Sequence, residues 1–438
     1  MAGSTHPPSV SRRRFLQLVA GSATLALPAG RWANAVPNAY RVGVGRDTDA
    51  YAATLRAVQA AEDWAGLALT GKTVVIKPNL VIPAYPESGA VTDPEAVRAL
   101  VDLALAGGAA QVQIVEAHGG ALNFGAAGYF DLQGYGGGAV SLVDARNLPR
   151  SLYPVPGGQT YQQLWQYDFL MDPNVIFISA AKLKTHVEAQ VTLAMKNLVG
   201  LLPKQHYLSL PPWWPRFSMH YRGLHQAIVD LNLVRPIDFA VVEGIWGMEG
   251  LGPISGTPIF SQTVLAGANA LAVDRVACHL MQIPQREVKH FAYATRLGMG
   301  PAGLDEIEVY GDALVPLSFQ RSATSPPIES PRPFRASFEP QAGETTCLLA
   351  SYAAPCDRVI QVLSASDAVP QVSVVRTIAP SGPRDPGFEI VSWDGRADDG
   401  SIVAPGRYAI HVAADGGADG SGLPPPAYAV GWVEVVES

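Results

Sequence analysis

The sequence predicts an α/β domain with a mainly parallel sheet covered by helices, followed by a small all-β sandwich. Three observations carry this. Short apolar and β-branched runs alternate with helical-period segments between Tyr40 and Leu297. Repeated βα units of this kind imply a mainly parallel sheet buried on both faces. Beyond a Pro- and Ser-dense stretch, Ser322 to Pro340, the pattern changes to short two-residue alternations parted by Gly, Pro and Asp.

Taken in order, Tyr40 to Val44 reads as a strand and Asp49 to Trp64 as a helix. Thr73 to Ile76 is a β-branched strand. Asp93 is placed to cap a helix with Pro94 at its first position, running through Leu105 to Gly107-Gly108. Strands follow at Gln111 to Val115, Ala139 to Val143, Val175 to Ile178, Phe239 to Val242 and Thr263 to Leu265. Helices fall at Leu224 to Leu233, Ala270 to Met281 and Gln285 to Leu297. The segment Asn123 to Trp165 is Gly- and Tyr-rich with little period and reads as a long surface loop, with a lid or an insertion over the site as the alternative. In the last quarter, strands are expected near Arg358 to Leu363, Gln371 to Val375, Phe388 to Trp393, Gly406 to Val412 and Ala429 to Val435.

The domain boundaries follow: residues 1–35 a leader, 36–321 the α/β core, 322–340 a linker and 341–438 the sandwich. The leader carries Ser11-Arg12-Arg13-Arg14-Phe15-Leu16, a twin-arginine pattern, then an apolar run and Ala33-Asn34-Ala35 as a cleavage site. The expectation is export to the periplasm or the extracellular space, with the export machinery as a partner. The apolar run is too short and too broken by Gly and Pro to span a membrane.

Of 438 residues, 31 are Lys or Arg and 38 Asp or Glu, a net charge of −7. The leader holds four arginines and no acid, so the remainder stands at −11. An acidic chain without a basic cluster is a poor nucleic-acid binder, because phosphates need neutralising. The cysteines Cys278, Cys347 and Cys356 form no Cys-x-x-Cys, which argues against a cysteine-ligated iron–sulfur cluster or zinc site. Cys347 and Cys356 are either a disulfide or a reduced pair.

The candidate chemistry sits where strands end, because open parallel sheets bind ligands outside the carboxyl ends of their strands. Lys77 and Asn79 follow one strand; Glu116, His118 and Gly119-Gly120 follow the next. Lys182, Lys184, Thr185 and His186 follow Val175 to Ile178. Glu243, Gly244 and Gly250 follow Phe239 to Val242, and Gly267 and Asn269 follow Thr263 to Leu265. Five such ends would converge on one rim if their strands run parallel. Lysines hold a carboxylate or phosphate as point charges, and a crowded lysine gains general-base character. Glu116 and Glu243 suit acid–base work, or a hard cation together with Asp93. His118 and His186 have no His-x-x-x-His partner to support a metal.

The segment Lys182-Leu-Lys184-Thr185-His186, then Thr192-Leu-Ala-Met-Lys196-Asn197-Leu-Val-Gly200, resembles the domain-of-unknown-function family 362. Further matching pieces are Lys77-Pro78-Asn79, Thr92-Asp93-Pro94, His225 to Asn232 and Glu243 to Pro253, so the resemblance spans about Val74 to Ile283. It names a relationship and no reaction. Trp393-Asp394-Gly395-Arg396 with Ala404-Pro405-Gly406-Arg407-Tyr408 resembles the Ig-like domain of flagellar hook-capping proteins, which implies an Ig-like sandwich.

The functional expectation is an exported enzyme acting on a small anionic substrate. Lys182, Lys184, Glu243 and Glu116 are its catalytic candidates. Lys77, Asn79, Thr185, His186, Lys196, Asn197 and Gly250 are its ligand-binding candidates. The alternatives are a noncatalytic binder of a small ligand or metal on the same rim, and a cell-surface interaction protein served by the sandwich.

Overall fold

The computed structural model describes residues 40–209, 216–217, 219–321, 332–352, 355–365, 372–415 and 427–437. The expected twin-arginine leader lies outside them. The described residues fall in one compact unit.

A nine-stranded sheet organises the first three quarters. Its path runs Ile307–Gly311, Tyr40–Arg46, Thr257–Gly267, Phe239–Glu249, Val175–His186, Thr73–Pro78, Gln111–Glu116 and Val140–Asp144, with Gln190–Thr192 added beside Val175–His186. Alternate residues of one strand serve different cores. Val74 and Ile76 join the helices Ala50–Ala61 and Pro94–Ala106 on one face, and Val75 joins Leu224–Val234 and Ala270–Leu280 on the other. That two-sided burial is why the strands read as continuous apolar runs.

Side-chain caps start the helices where the sequence places them. Asp49 accepts from the Ala52 N–H at 2.8 Å, and Asp93 accepts from the Glu95 N–H at 2.9 Å. Gly45 is required by close packing: a Cβ there would lie 1.9 Å from the Ala53 carbonyl oxygen of the overlying helix.

The sheet is mixed: five of its eight ladders are parallel, in keeping with a mainly parallel sheet, and three are antiparallel. Thr257–Gly267 runs antiparallel to both its neighbours, Tyr40–Arg46 and Phe239–Glu249. Only residues 250–256 link it to the strand before it. A connection that short makes a hairpin, since a parallel return needs a crossover of a dozen or more residues. Gly267 therefore pairs with Ala240 at the amino end of Phe239–Glu249, and Gly267 and Asn269 lie at the edge opposite the other strand ends. Asn269 caps Ala270–Leu280 instead.

Two strands are much longer than the apolar runs that announce them. Val175–His186 continues past Ser179 through both lysines, and Phe239–Glu249 continues past Val242 through Glu243. Their ladder pairs Glu243 with Lys182 and Met248 with Lys184, and Lys184 also pairs with Thr192. Within the segment Asn123 to Trp165, Val140–Asp144 completes the sheet edge, and Arg150–Pro154 pairs with Gln163–Tyr167 as a hairpin.

The last quarter holds two sheets. One orders Arg332–Pro333, Thr346–Tyr352 and Gly387–Trp393; the other orders Ser337–Phe338, Ala427–Val435, Gly406–Asp415, Cys356–Ala365 and Val372–Arg384. Leu348 and Trp393 from the first share a buried cluster with Ile360 and Val412 from the second. Arg332–Pro333 and Ser337–Phe338 fall inside the stretch read as a linker and pair within these sheets. The three cysteines are free thiols. Arg407 ties this region to the core, its guanidinium donating to the Thr160 and Gln159 carbonyls at 3.0 Å each. Asp230 holds the same loop by accepting the Gln159, Thr160 and Tyr161 N–H groups at 2.6–2.8 Å.

Candidate functional site

Four lysines are buried where the parallel strands end: Lys77, Lys182 and Lys184 at 1% exposure or less, and Lys196 at 8%. Buried ammonium groups need partners, and the four differ in what they find.

Lys77 lies 3.2 Å from Glu116 and also donates to the Pro78 carbonyl. Glu116 accepts in addition from the His118 and Gly119 N–H groups at 2.6 and 3.1 Å. Lys182 lies 2.6 Å from Glu243, whose carboxylate also takes the Asp93 N–H at 3.0 Å and the Ile245 N–H at 2.7 Å. Burial first, and then Glu243, push Asp93 up to about 6. These are two neutralised pairs.

Lys184 has no carboxylate partner among the described residues. It donates to Asn79 Oδ1 at 2.8 Å, the Ala90 carbonyl at 2.6 Å and the Pro253 carbonyl at 3.1 Å. Burial pushes its pKa well down, and the charges of Lys196, Lys182 and Lys77 push the same way. Three acceptors nevertheless require three hydrogens, which only the ammonium form has. The geometry therefore stands for a charged Lys184 with every donor spent.

Asn79 and Asn197 join these pieces. Asn79 Nδ2 donates to Asn197 Oδ1 at 3.0 Å, while Asn197 Nδ2 donates to the Lys77 carbonyl at 2.8 Å and to Ser179 Oγ at 3.1 Å. Thr92 locks Asn79 further, its hydroxyl accepting from the Asn79 N–H and donating to the Ala180 carbonyl, each at 2.9 Å. The short helix Ala194–Asn197 that carries Lys196 and Asn197 is positioned by Asp274, which accepts the Ala194 and Met195 N–H groups at 2.7 and 3.0 Å. Burial raises Asp274 to about 7. Asn232 holds the same helix through the Met195 carbonyl at 3.0 Å.

Lys196 is the exception. Among the described residues its ammonium makes no hydrogen bond and no ion pair. Burial lowers it to about 8, with Glu188 pulling the other way.

Lys77, Asn79, Glu116, Lys184 and Asn197 thus form one connected network. The Lys182–Glu243 pair adjoins it through Asp93, next to Thr92, and the charge of Lys196 acts on Lys184. Three candidates serve the surrounding loops instead. Thr185 donates to the Gly250 carbonyl at 2.9 Å. Gly250 has φ +72°, and a Cβ at nearby Gly252 would lie 2.1 Å from the Thr185 carbonyl oxygen, so this loop lies directly on the strand. His186 Nδ1 accepts the Glu188 and Ala189 N–H groups at 3.0 and 3.1 Å, which commits that nitrogen to a turn. Sequence reasoning passed over Asp274, for which a carboxylate inside the apolar run Leu271 to Leu280 was the available signal.

No helix among the described residues is long and apolar enough to cross a membrane, and no group of three or more His, Cys, Asp or Glu among them is placed to hold a metal.

The fold and site define a mixed-sheet α/β protein with a lysine-rich buried network at the strand ends. Residues 74–279, a little under half of the chain, match the family described as Domain of unknown function (DUF362). The thylakoid-associated protein sll1697 of Synechocystis sp. is 26% identical over 243 residues, which cover 54% of this chain and 71% of that protein. Among solved structures, the Pseudomonas fluorescens alkylpurine DNA glycosylase AlkC, bound to DNA containing an abasic site analogue, is 15% identical with a TM-score of 0.18. That match covers 26% of this chain and 31% of the glycosylase, so the chain spans less than a third of it. The β-glucosidase EmGH1 of Erythrobacter marinus is 12% identical with a TM-score of 0.16, over 88% of this chain and 50% of that one. Similarity at these scores carries no inference about fold or activity.

Proposed function

We propose that this protein is an exported enzyme acting on a small anionic substrate held at the buried lysine network. One observation carries the reading: of four buried lysines, two are neutralised by glutamates, one is saturated by neutral oxygens, and Lys196 keeps all three of its donors among the described residues. A buried site with excess positive charge and a free ammonium favours a carboxylate or phosphate. Within this reading Lys196 meets the anion. Lys182–Glu243 and Lys77–Glu116 are the pairs able to exchange a proton with the bound group. Lys184 ties Asn79, Ala90 and Pro253 to the strand and gives the site its shape.

Export is part of the proposal, supported by the twin-arginine pattern and Ala33-Asn34-Ala35. So is an accessory Ig-like sandwich in the last quarter, supported by two sheets sharing one cluster and by the resemblance around Trp393. The name of the Synechocystis relative speaks of an association with the thylakoid and leaves its chemistry open. A noncatalytic binder of the same anion is the second reading, favoured by how completely Lys184, Glu116 and Glu243 are satisfied. Native mass spectrometry of the folded protein purified from its host tests both. The proposal expects a bound small anion that is absent from Lys196→Met, and turnover of that anion separates enzyme from binder. An anion retained in Lys196→Met refutes the assignment.

A further inference from the structure

The helices packed around the one that carries Lys196 hold a second set of polar atoms that the network does not use. The short helix carrying Lys196 packs between Leu224–Val234 and Ala270–Leu280, and Lys289–Arg296 packs on both of these helices. This brings in His225 and His290, stacked with ring centroids 5.2 Å apart and Nδ1 atoms 3.0 Å apart. The charge of Lys196 is felt at both rings. Burial and then Lys196 lower His290 to about 3; burial, then His290 and Lys289, and last Lys196 lower His225 well below the usual range, which favours the neutral form of both.

The tautomers follow from the contacts. The His290 backbone N–H donates to His225 Nδ1 at 3.3 Å, so that nitrogen is an acceptor. Two acceptor nitrogens do not sit 3.0 Å apart, so His290 Nδ1 carries the hydrogen between them. His290 Nε2 is then a bare lone pair. The residue is fully buried, and among the described residues this atom has no partner. A buried acceptor left this way is rare and costly, and it marks a place where a hydrogen-bond donor is missing.

We infer that the ligand is a small anion that also carries a hydrogen-bond donor, such as a hydroxy acid, with its anionic group on Lys196 and its hydroxyl hydrogen on His290 Nε2. This rests on the reading of Lys196 as the anion contact and adds the second half of the recognition. A plain carboxylate satisfies the ammonium and leaves the imidazole lone pair bare. A hydroxyl on the same molecule supplies the hydrogen that Nε2 lacks. His290 lies outside residues 74–279, so this half of the site is supplied from beyond the family match.

The test compares lactate with propionate, which differ by that hydroxyl, in calorimetric titrations of the full chain. Lactate is expected to bind about tenfold tighter or better, the effect of satisfying one buried acceptor. His290→Asn keeps a donor toward His225 and removes the Nε2 acceptor. It is expected to bring lactate down to the propionate level while propionate is unchanged. Should that variant fail to fold, wild-type protein labelled with 15N-histidine serves: the His290 Nε2 resonance is expected to move with lactate and stay with propionate. Equal binding of the two acids, or a preference that survives His290→Asn, overturns this inference while leaving the anion site in place. No binding of either acid to the wild type overturns both.

Discussion

Replacing Lys196 by Met is expected to make the protein more stable, and the size follows from the burial of one charge. At 8% exposure and without an ion pair among the described residues, Lys196 falls from 10.5 to about 8. At about 1.4 kcal/mol per tenfold change in proton affinity, keeping that ammonium inside costs the fold roughly 3 kcal/mol near neutral pH. Methionine matches the stem and drops the charge. With an unfolding entropy of about 2.1 cal/mol/K per residue over about 400 residues, the melting temperature should rise by roughly 3–4 °C. The pH dependence is a second signature. Between about pH 8 and 10.5 the unfolded chain holds a proton that folded Lys196 has released, so wild-type stability climbs with pH across that window. The Met variant should lack this climb, and the two curves should meet near pH 10.5. Scanning calorimetry at pH 7 and pH 10 checks both. A lower melting temperature for Lys196→Met at pH 7, or a gap that does not close with pH, would show that Lys196 is a paired structural lysine.

Other outcomes follow from the same contacts. Lys184→Met should have the opposite sign, costing about 3 kcal/mol or more, because Asn79 Oδ1 and the Ala90 and Pro253 carbonyls are left bare; denaturant unfolding reads it. Asp274→Ala orphans the Ala194 and Met195 N–H groups and should cost about 2–4 kcal/mol while weakening anion binding through the displaced Lys196 helix. Because burial raises Asp274 to about 7, its folded form holds a proton longer than its unfolded form. The wild type should therefore lose stability relative to Asp274→Asn as pH rises from about 4 to 7. Arg407→Ala removes two hydrogen bonds to the 159–160 loop and its stacking on Trp432, so amide exchange at Gln159, Thr160 and Tyr161 should quicken.

The elements were legible wherever the local signal and the tertiary role agree. Asp93-Pro94 announces a helix start because capping is local, and Val74-Val75-Ile76 announces a strand because both its faces are buried. Strand length was not legible at Lys182 and Lys184, since polar residues end an apolar run in sequence. Here Glu243, 61 residues away, and neutral oxygens from distant loops let the strand continue with its lysines buried. The direction of Thr257–Gly267 was equally hidden, because it depends on how the glycine-rich connection folds back. For the site, Lys77, Asn79, Glu116, Lys182, Lys184, Glu243, Lys196 and Asn197 were legible as a group. Which of the lysines is free was not, because freedom is a matter of counting partners in space. Asp274 and His290 sit in amphipathic helices, where a buried polar residue looks like any other member of the pattern.

The central claim is that Lys196, alone among the four buried lysines, keeps its donors for a ligand. Titrating propionate into the full chain, wild type beside Lys196→Met, tests it most directly when each sample's melting temperature is measured alongside. The account predicts binding heat in the wild type and none in the variant, with the variant melting at an equal or higher temperature. Binding retained in Lys196→Met, or binding lost only together with the fold, would contradict it.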